Sequence, residues 1–302
     1  MQEIIDGLKA LNIGEVKEDE LLRNHTTYKV GGKAIVVYPK NLESLKILVD
    51  YLVKNKVKYF PLGKGSNVLF SDYDYNGVII KMDNFNKAEY NGEYVTAGAG
   101  LSLIRFSRHT VRRGLKGLEF ADGIPGTVGG AVFMNAGCYG EDVSMILESC
   151  TVLTKGGEIQ TLSNEEMNFS YRTSILQKRL GDIVVEAKFK LTKCEANIIQ
   201  DMVIERRKKR ILSQPLDYPS AGSVFRNPEG TYAGKIIEDL GLKGYQVGNA
   251  QVSEKHANFI INKGNCSASD IKEIIDYIKV RVKEEYNIKL RVEQRLVNWN
   301  SK

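Results

Sequence analysis

Residues Gly117–Gly140 read GLEFADGIPGTVGGAVFMNAGCYG, seven glycines in 24 residues, with an IPGT turn, the pair Gly129-Gly130 and an Asn135-Ala136-Gly137 step. Glycine at this density costs backbone entropy and weakens any helix or strand that carries it. A chain tolerates that cost where its main chain must come close to something flat or charged. Two more glycine-rich spots lie upstream, GKGSN at 63–67 and GAG at 98–100. Together the three predict one large ligand held mainly by backbone.

The usual phosphate-binding patterns are absent. GxGxxG needs a third glycine, but Val68 stands there in GKGSNV and Leu103 in GAGLSL. In GKG the residue after Lys64 is Gly65, where a P-loop needs Ser or Thr. Dinucleotide-binding parallel-sheet and P-loop folds are therefore disfavoured. Backbone amides of PLGKGSN can still cradle a diphosphate, with Ser66 and Asn67 beside them. A plain turn is the other reading, since Gly and Asn dominate turns.

Short strands and helices alternate on either side. AIVVYP (34–39) is a β-branched run, and 41–56 places Leu45, Leu48, Val49 and Leu52 at helical spacing behind Asn41 as cap. Strands are expected at 58–63, 67–71, 77–82 and 94–100, then a helix at 101–113 that Gly114 ends. Further strands are expected at 150–155, 158–163 and 182–191. A helix over 195–213 carries Ile198, Ile199, Met202 and Val203 on one side. Near the end Ser267 and Asp270 fit a capping box, with Ile271, Ile274, Ile275, Ile278 and Val282 lining one helical face. A strand at about 288–297 closes the chain, and HANFIIN (256–262) reads as another, headed by His256.

The 302 residues allow one large domain or two to three smaller ones. A net charge of +6 fits chance surface charge or an anionic ligand. Cys138, Cys150, Cys194 and Cys266 form no metal spacing, and with only His25, His109 and His256 beside them no metal site is expected. The first 20 residues do not read as a signal peptide, and no apolar run approaches the roughly 20 residues of a membrane span. A reducing cytoplasm fits these features. RRKKR (206–210) reads as a solvated helical face, with electrostatic guidance of an anionic substrate as the alternative. It lacks the interleaved aromatics of a single-strand nucleic-acid platform.

Arg172 in SYRTS, Ser223 in YPSAGSVFRNP and Glu293 in IKLRVEQRLV are the polar residues that stand out, though ordinary surface roles stay open for each. A charge on the buried face of a strand, as Glu293 could be, needs a partner.

Seven segments in order resemble the UDP-N-acetylenolpyruvoylglucosamine reductase family. They are NHTTYKVGGKA (24–34), PLGKGSNVLFSD (61–72), the 114–140 stretch, SYRTS (170–174), PSAGSVFRNP (219–228), 233–262 and LRVEQR (290–295). The resemblance implies an α+β fold in which FAD is held by two α+β subdomains of the vanillyl-alcohol-oxidase type, followed by a C-terminal α+β substrate domain. The boundaries expected are 1–193 for the FAD-binding domain (subdomains about 20–82 and 83–193) and 194–302 for the substrate-binding domain. By the same analogy Gly63, Lys64, Gly65, Ser66 and Asn67 meet the FAD diphosphate. Gly123, Ile124, Pro125, Gly126, Thr127, Gly129 and Gly130 run along the flavin.

The family's catalytic trio maps to Arg172, Ser223 and Glu293, with Tyr171 and Asn227 as substrate contacts. Where the family often reads LEPEV, this chain reads LRVEQ (290–294), so Glu293 has less motif support. The fifty residues between Arg172 and Ser223 match a shorter branch lacking an inserted tyrosine loop. The implied reaction is NADPH-dependent reduction, through bound FAD, of the enolpyruvyl group of a UDP-sugar, a step in building bacterial peptidoglycan and hence in cell shape and division. Arg172 would stabilise the enolate, Ser223 would donate a proton with Arg226 or Lys235 nearby in sequence, and Glu293 would be protonated or share a proton. A monomer in the cytoplasm, without nucleic-acid or membrane partner, is expected. The alternatives are another flavoenzyme on the same fold and a nucleotide-sugar or RNA-binding module.

Overall fold

The computed structural model describes residues 1–299. The chain forms two compact units. The first comprises Met1–Asp19, Ile35–Gly63 and Asn76–Lys208, and the second Glu20–Ala34, Lys64–Tyr75 and the chain from Lys209 onward.

Two larger sheets belong mainly to the first unit. Gly14–Leu21, Lys33–Pro39, Val78–Lys81 and Tyr59–Leu62 lie side by side in that order. Val78–Lys81 runs parallel to both neighbours, with Val78 opposite Ile35 and Tyr59. A parallel neighbour needs a crossover, and helix Leu42–Lys54 lies between Lys33–Pro39 and Tyr59–Leu62 in the chain. The Asn41 side chain accepts the Ser44 N–H at 2.9 Å, and Leu45, Leu48, Val49 and Leu52 are fully buried, as their spacing predicts.

The second sheet is antiparallel, in the order Ile159–Ser163, Leu147–Leu153, Ile183–Lys190, Tyr94–Gly98, Ala88–Asn91. From Val185 to Lys190 burial alternates, with Val185, Ala187 and Phe189 buried and Glu186, Lys188 and Lys190 exposed, the pattern of a sheet with one face on a core. Phe189 meets Phe106 of helix Leu103–Arg112 with ring centroids 5.4 Å apart.

The second unit packs helices Ala233–Asp239 and Ala268–Tyr286 with a small sheet of Gln246–Val247, Ala250–Val252 and Ile260–Asn262. A parallel pair, Val68–Phe70 with Arg295–Val297, completes it. The capping box of Ser267 and Asp270 is fully made, and the five apolar residues behind it are buried. Asp72 adds a long-range cap, accepting the N–H groups of Ala268 and Ser269 at 2.7 and 2.9 Å.

Three local expectations are corrected. Only Arg295–Val297 of the closing segment is a strand, and the chain before it makes a single bridge, Val292 to Phe225. The opposing segment is framed by Pro219 and Pro228 and turns at Gly222 (φ +71), which prevents a longer ladder. Ile198 is half-exposed, because helix Ala196–Ser213 buries only the i, i+4 pair Ile199 and Val203. The strand in HANFIIN starts at Ile260, since His256–Phe259 close a turn through the Phe259 N–H to the His256 carbonyl at 2.9 Å.

Candidate functional site

In the first unit, much of the glycine-rich stretch answers to close approach of chain to chain. Gly126, Val128 and Gly129 give their N–H groups to the carbonyls of Ile124, Leu101 and Ala99. A Cβ on Gly129 would sit 2.9 Å from the Cβ of Ala99, and one on Gly137 would sit 2.4 Å from Asp142. Thr127 caps helix Val128–Met134 by accepting the Gly130 N–H at 3.3 Å. A Cβ on Gly63 would meet the Thr127 hydroxyl at 2.6 Å, so Gly63 and Thr127 are brought together. The buried Lys81 donates its Nζ to the Gly63 carbonyl at 2.5 Å, a contact no sequence pattern pointed to.

Asp122, next to Gly123, is almost fully buried and accepts from Arg108 at 2.8 Å and from Arg207 at 2.7 Å. Arg206 pairs with Glu141 at 2.5 Å and lies over the ring of Tyr139. The first two residues of RRKKR are thus ion-paired to both ends of the glycine-rich stretch rather than merely solvated.

Arg172 occupies the left-handed region (φ +55), in a tight turn where Ser170 and Thr173 exchange main-chain hydrogen bonds. Its guanidinium donates to the carbonyls of Asn135 at 3.4 Å and Gly137 at 2.5 Å and lies over the ring of Tyr171. Asn135, itself left-handed (φ +44), donates its side-chain amide to Asp142 and to the Ser170 carbonyl, both at 3.1 Å. A helix end and an arginine turn are thereby locked to one another. Tyr171 is half-exposed.

In the second unit, the main-chain N–H groups of Lys64, Gly65, Ser66 and Asn67 donate to no main-chain carbonyl among the described residues. Gly65 needs its positive φ of +65, and a Cβ there would lie 2.2 Å from the His25 carbonyl. Its own carbonyl accepts the Thr27 N–H at 3.1 Å. Carbonyls tied back and successive amide donors left over make the concave donor set that an anion such as a diphosphate needs. The residues present therefore fit the diphosphate of FAD.

Ser223 and Glu293 belong to the same unit. The Glu293 N–H donates to the Val224 carbonyl at 2.8 Å, and the Glu293 carbonyl accepts from the Asn67 side chain at 3.4 Å. The serine, the glutamate and the GKGSN turn are thus joined through main chain. Asn258 holds the next residue by both ends, with Phe225 N–H to Oδ1 at 2.9 Å and Nδ2 to the Phe225 carbonyl at 2.8 Å. The Asn227 side-chain oxygen accepts the Ala233 N–H at 3.1 Å. Lys235 is exposed and ion-paired with Asp239 at 2.8 Å. His256 accepts the Asn258 N–H on Nδ1 at 3.2 Å and packs on Phe259, and burial, aided by the charge of Lys243, lowers its pKa.

Sequence reasoning gave no role to Asn135, Asp122, Lys81 or Asn258, which here engage Arg172, Arg207, Gly63 and Phe225 respectively. Among the described residues no group of His, Cys, Asp or Glu could hold a metal ion. No helix among them is long and apolar enough to cross a membrane.

Two family models match. One, an FAD binding domain, covers residues 33–163, and the other, the C-terminal domain of UDP-N-acetylenolpyruvoylglucosamine reductase, covers 214–297. The UDP-N-acetylenolpyruvoylglucosamine reductase of Halalkalibacterium halodurans is 45% identical over 98% of this chain and 99% of its own length. That of Bacillus subtilis is 42% identical over 99% and 100%. The crystal structure of the Thermus caldophilus reductase superposes with a TM-score of 0.81 at 35% identity, covering 93% of this chain and 98% of that one. The fold is thus the FAD-binding α+β fold that the sequence resemblance implied, and the chain belongs to the UDP-N-acetylenolpyruvoylglucosamine reductase family.

Proposed function

We propose that the protein reduces the enolpyruvyl group of UDP-N-acetylglucosamine enolpyruvate to give UDP-N-acetylmuramic acid, with NADPH as reductant and FAD as resident cofactor. Full-length identity of 45% to a reductase of this name carries the reading. The reaction supplies peptidoglycan precursor, and we assign it to the cytoplasm, with the protein acting as a monomer. FAD, when bound, would supply the hydride chemistry that links NADPH to the enolpyruvyl group.

The residues of this chain supply the rest. The amides of Lys64–Asn67 would hold the cofactor's diphosphate, and the Gly123–Gly130 stretch would supply the close backbone approach that its ring system needs. Arg172 stabilises charge that develops on the substrate carboxylate. It is suited to this because two carbonyls fix the orientation of its always-charged guanidinium. Ser223 donates a proton to the carbon next to the one that accepts hydride. Glu293, protonated or sharing a proton, lies one main-chain hydrogen bond away at Val224 and completes the trio. Tyr171 and Asn227 contact the sugar nucleotide, and residues 194–302 form the substrate-binding part of the chain.

Ser223→Ala tests the assignment. Losing a general acid costs about a hundred- to ten-thousand-fold, so turnover falls by that factor while flavin reduction by NADPH persists. Unchanged turnover removes Ser223 from the mechanism.

A further inference from the structure

We infer that Gln294 is a positioning residue for Ser223: its buried carboxamide sets the loop that presents the serine hydroxyl. This rests on the proton-donor role proposed for Ser223. Gln294 is 3% exposed, and its Nε2 faces three consecutive carbonyls, of Ala221 at 3.1 Å, Gly222 at 3.4 Å and Ser223 at 3.5 Å. That orientation is the only one compatible with the neighbours, because an amide oxygen turned toward three carbonyls would be repelled. The Tyr28 hydroxyl lies 3.1 Å from both amide atoms, and with Nε2 engaged by the carbonyls Oε1 accepts its proton.

Tyr28 is itself fully buried and anchored, its carbonyl accepting from Asn262 at 2.8 Å. Burial pushes its hydroxyl pKa upward, so it remains a proton-bearing donor at any working pH. Residues 221–225 therefore lie between two buried amides. Gln294 holds Ala221–Ser223 and Asn258 holds Val224 and Phe225. The left-handed Gly222 (φ +71) lets the carbonyls of the turn converge on one side.

A valine at this position would offer no donor to the carbonyls and no acceptor to Tyr28. The inference concerns geometry at an atom the reaction uses, and misplacement by about 1 Å can cost about 100-fold in rate.

The experiment compares wild type, Gln294→Val, Ser223→Ala and the double variant, all loaded with FAD. Stopped-flow absorbance follows flavin reduction by NADPH and, separately, reoxidation by the enolpyruvyl UDP-sugar. In Gln294→Val, reoxidation is expected to slow about 10- to 100-fold with reduction unchanged. The double variant is expected to be no slower than Ser223→Ala, because a missing hydroxyl no longer needs positioning. Three results would overturn the inference: unchanged reoxidation in Gln294→Val, an equal fall in both half-reactions, or multiplicative slowing in the double variant. If Gln294→Val does not fold, Tyr28→Phe enters the same cycle, with a smaller effect expected on the same step. Normal turnover in Ser223→Ala would overturn instead the assignment on which the inference stands.

Discussion

Arg172 donates its Nη2 to the main-chain carbonyl of Gly137 at 2.5 Å, so the arginine expected to meet the substrate carboxylate is pinned to the end of the glycine-rich stretch. A lysine keeps the charge but cannot hold a carbonyl with one nitrogen and present a planar fork with the others. Arg172→Lys is expected to lower kcat about 100- to 1,000-fold in the substrate half-reaction, the range seen when one charge-stabilising donor is lost. Flavin reduction by NADPH should persist. Wild-type kcat in this variant would remove the arginine from charge stabilisation.

Gly65 sits where its φ of +65 and the His25 carbonyl both exclude a side chain. Gly65→Ala is expected to abolish tight FAD binding, measured by flavin fluorescence, and to lower the melting temperature. Gly92→Ala is the control. Its φ is +60 but nothing lies within 4 Å of its Cβ, so only the left-handed penalty of about 1–2 kcal/mol applies. Equal behaviour of the two variants would show that close packing at Gly65 is unimportant.

The Asp122 carboxylate is buried between Arg108 and Arg207, while both arginines are about half-exposed. Solvent screening trims such a pair well below a fully buried one. Asp122→Ala is expected to cost about 1.5–3 kcal/mol in urea unfolding, the range for hydrogen bonds to a charged group. A double-mutant cycle with Arg207→Ala should give a positive coupling energy. Strict additivity would mean the ion pair does not tie the RRKKR helix to the glycine-rich stretch.

His256 gives a pH dependence of defined sign. Its folded pKa lies below the ordinary 6.5, first because of burial and then because of Lys243. The unfolded chain therefore binds the proton more readily, and stability falls as pH drops from 6.5 through the lower folded value. Above 6.5 the contribution is fully present. Urea midpoints of wild type are expected to fall more steeply between pH 6.5 and 5 than those of His256→Gln. Parallel slopes would contradict this.

What the sequence made legible was local. Asn41 and Ser267 with Asp270 announce their helices because a cap and its partner lie three residues apart. The strand expected at 182–191 is also set by neighbouring residues and is found at Ile183–Lys190. The supports of the candidate site are not local. Tyr28 and Gln294 are 266 residues apart, and Asp72 reaches across 196 residues to cap a helix. No periodicity encodes such pairs. Asn135 left a faint trace as a left-handed helix end within MNAG, and Gln294 another as a departure from LEPEV. The glycines suggested a ligand, yet Gly129 and Gly137 are required by Ala99 and Asp142 of this chain. The four unbonded amides of Lys64–Asn67 emerge only once the carbonyls around them are placed.

An anaerobic two-step titration of the FAD-loaded protein tests the assigned reaction. NADPH is added until the flavin absorbance bleaches, and then the enolpyruvyl UDP-sugar is added. The account predicts bleaching in the first step and prompt recovery of the oxidised spectrum in the second, with formation of UDP-N-acetylmuramic acid. Bleaching without recovery would contradict the substrate assignment, and a protein that takes up no FAD would contradict the account as a whole.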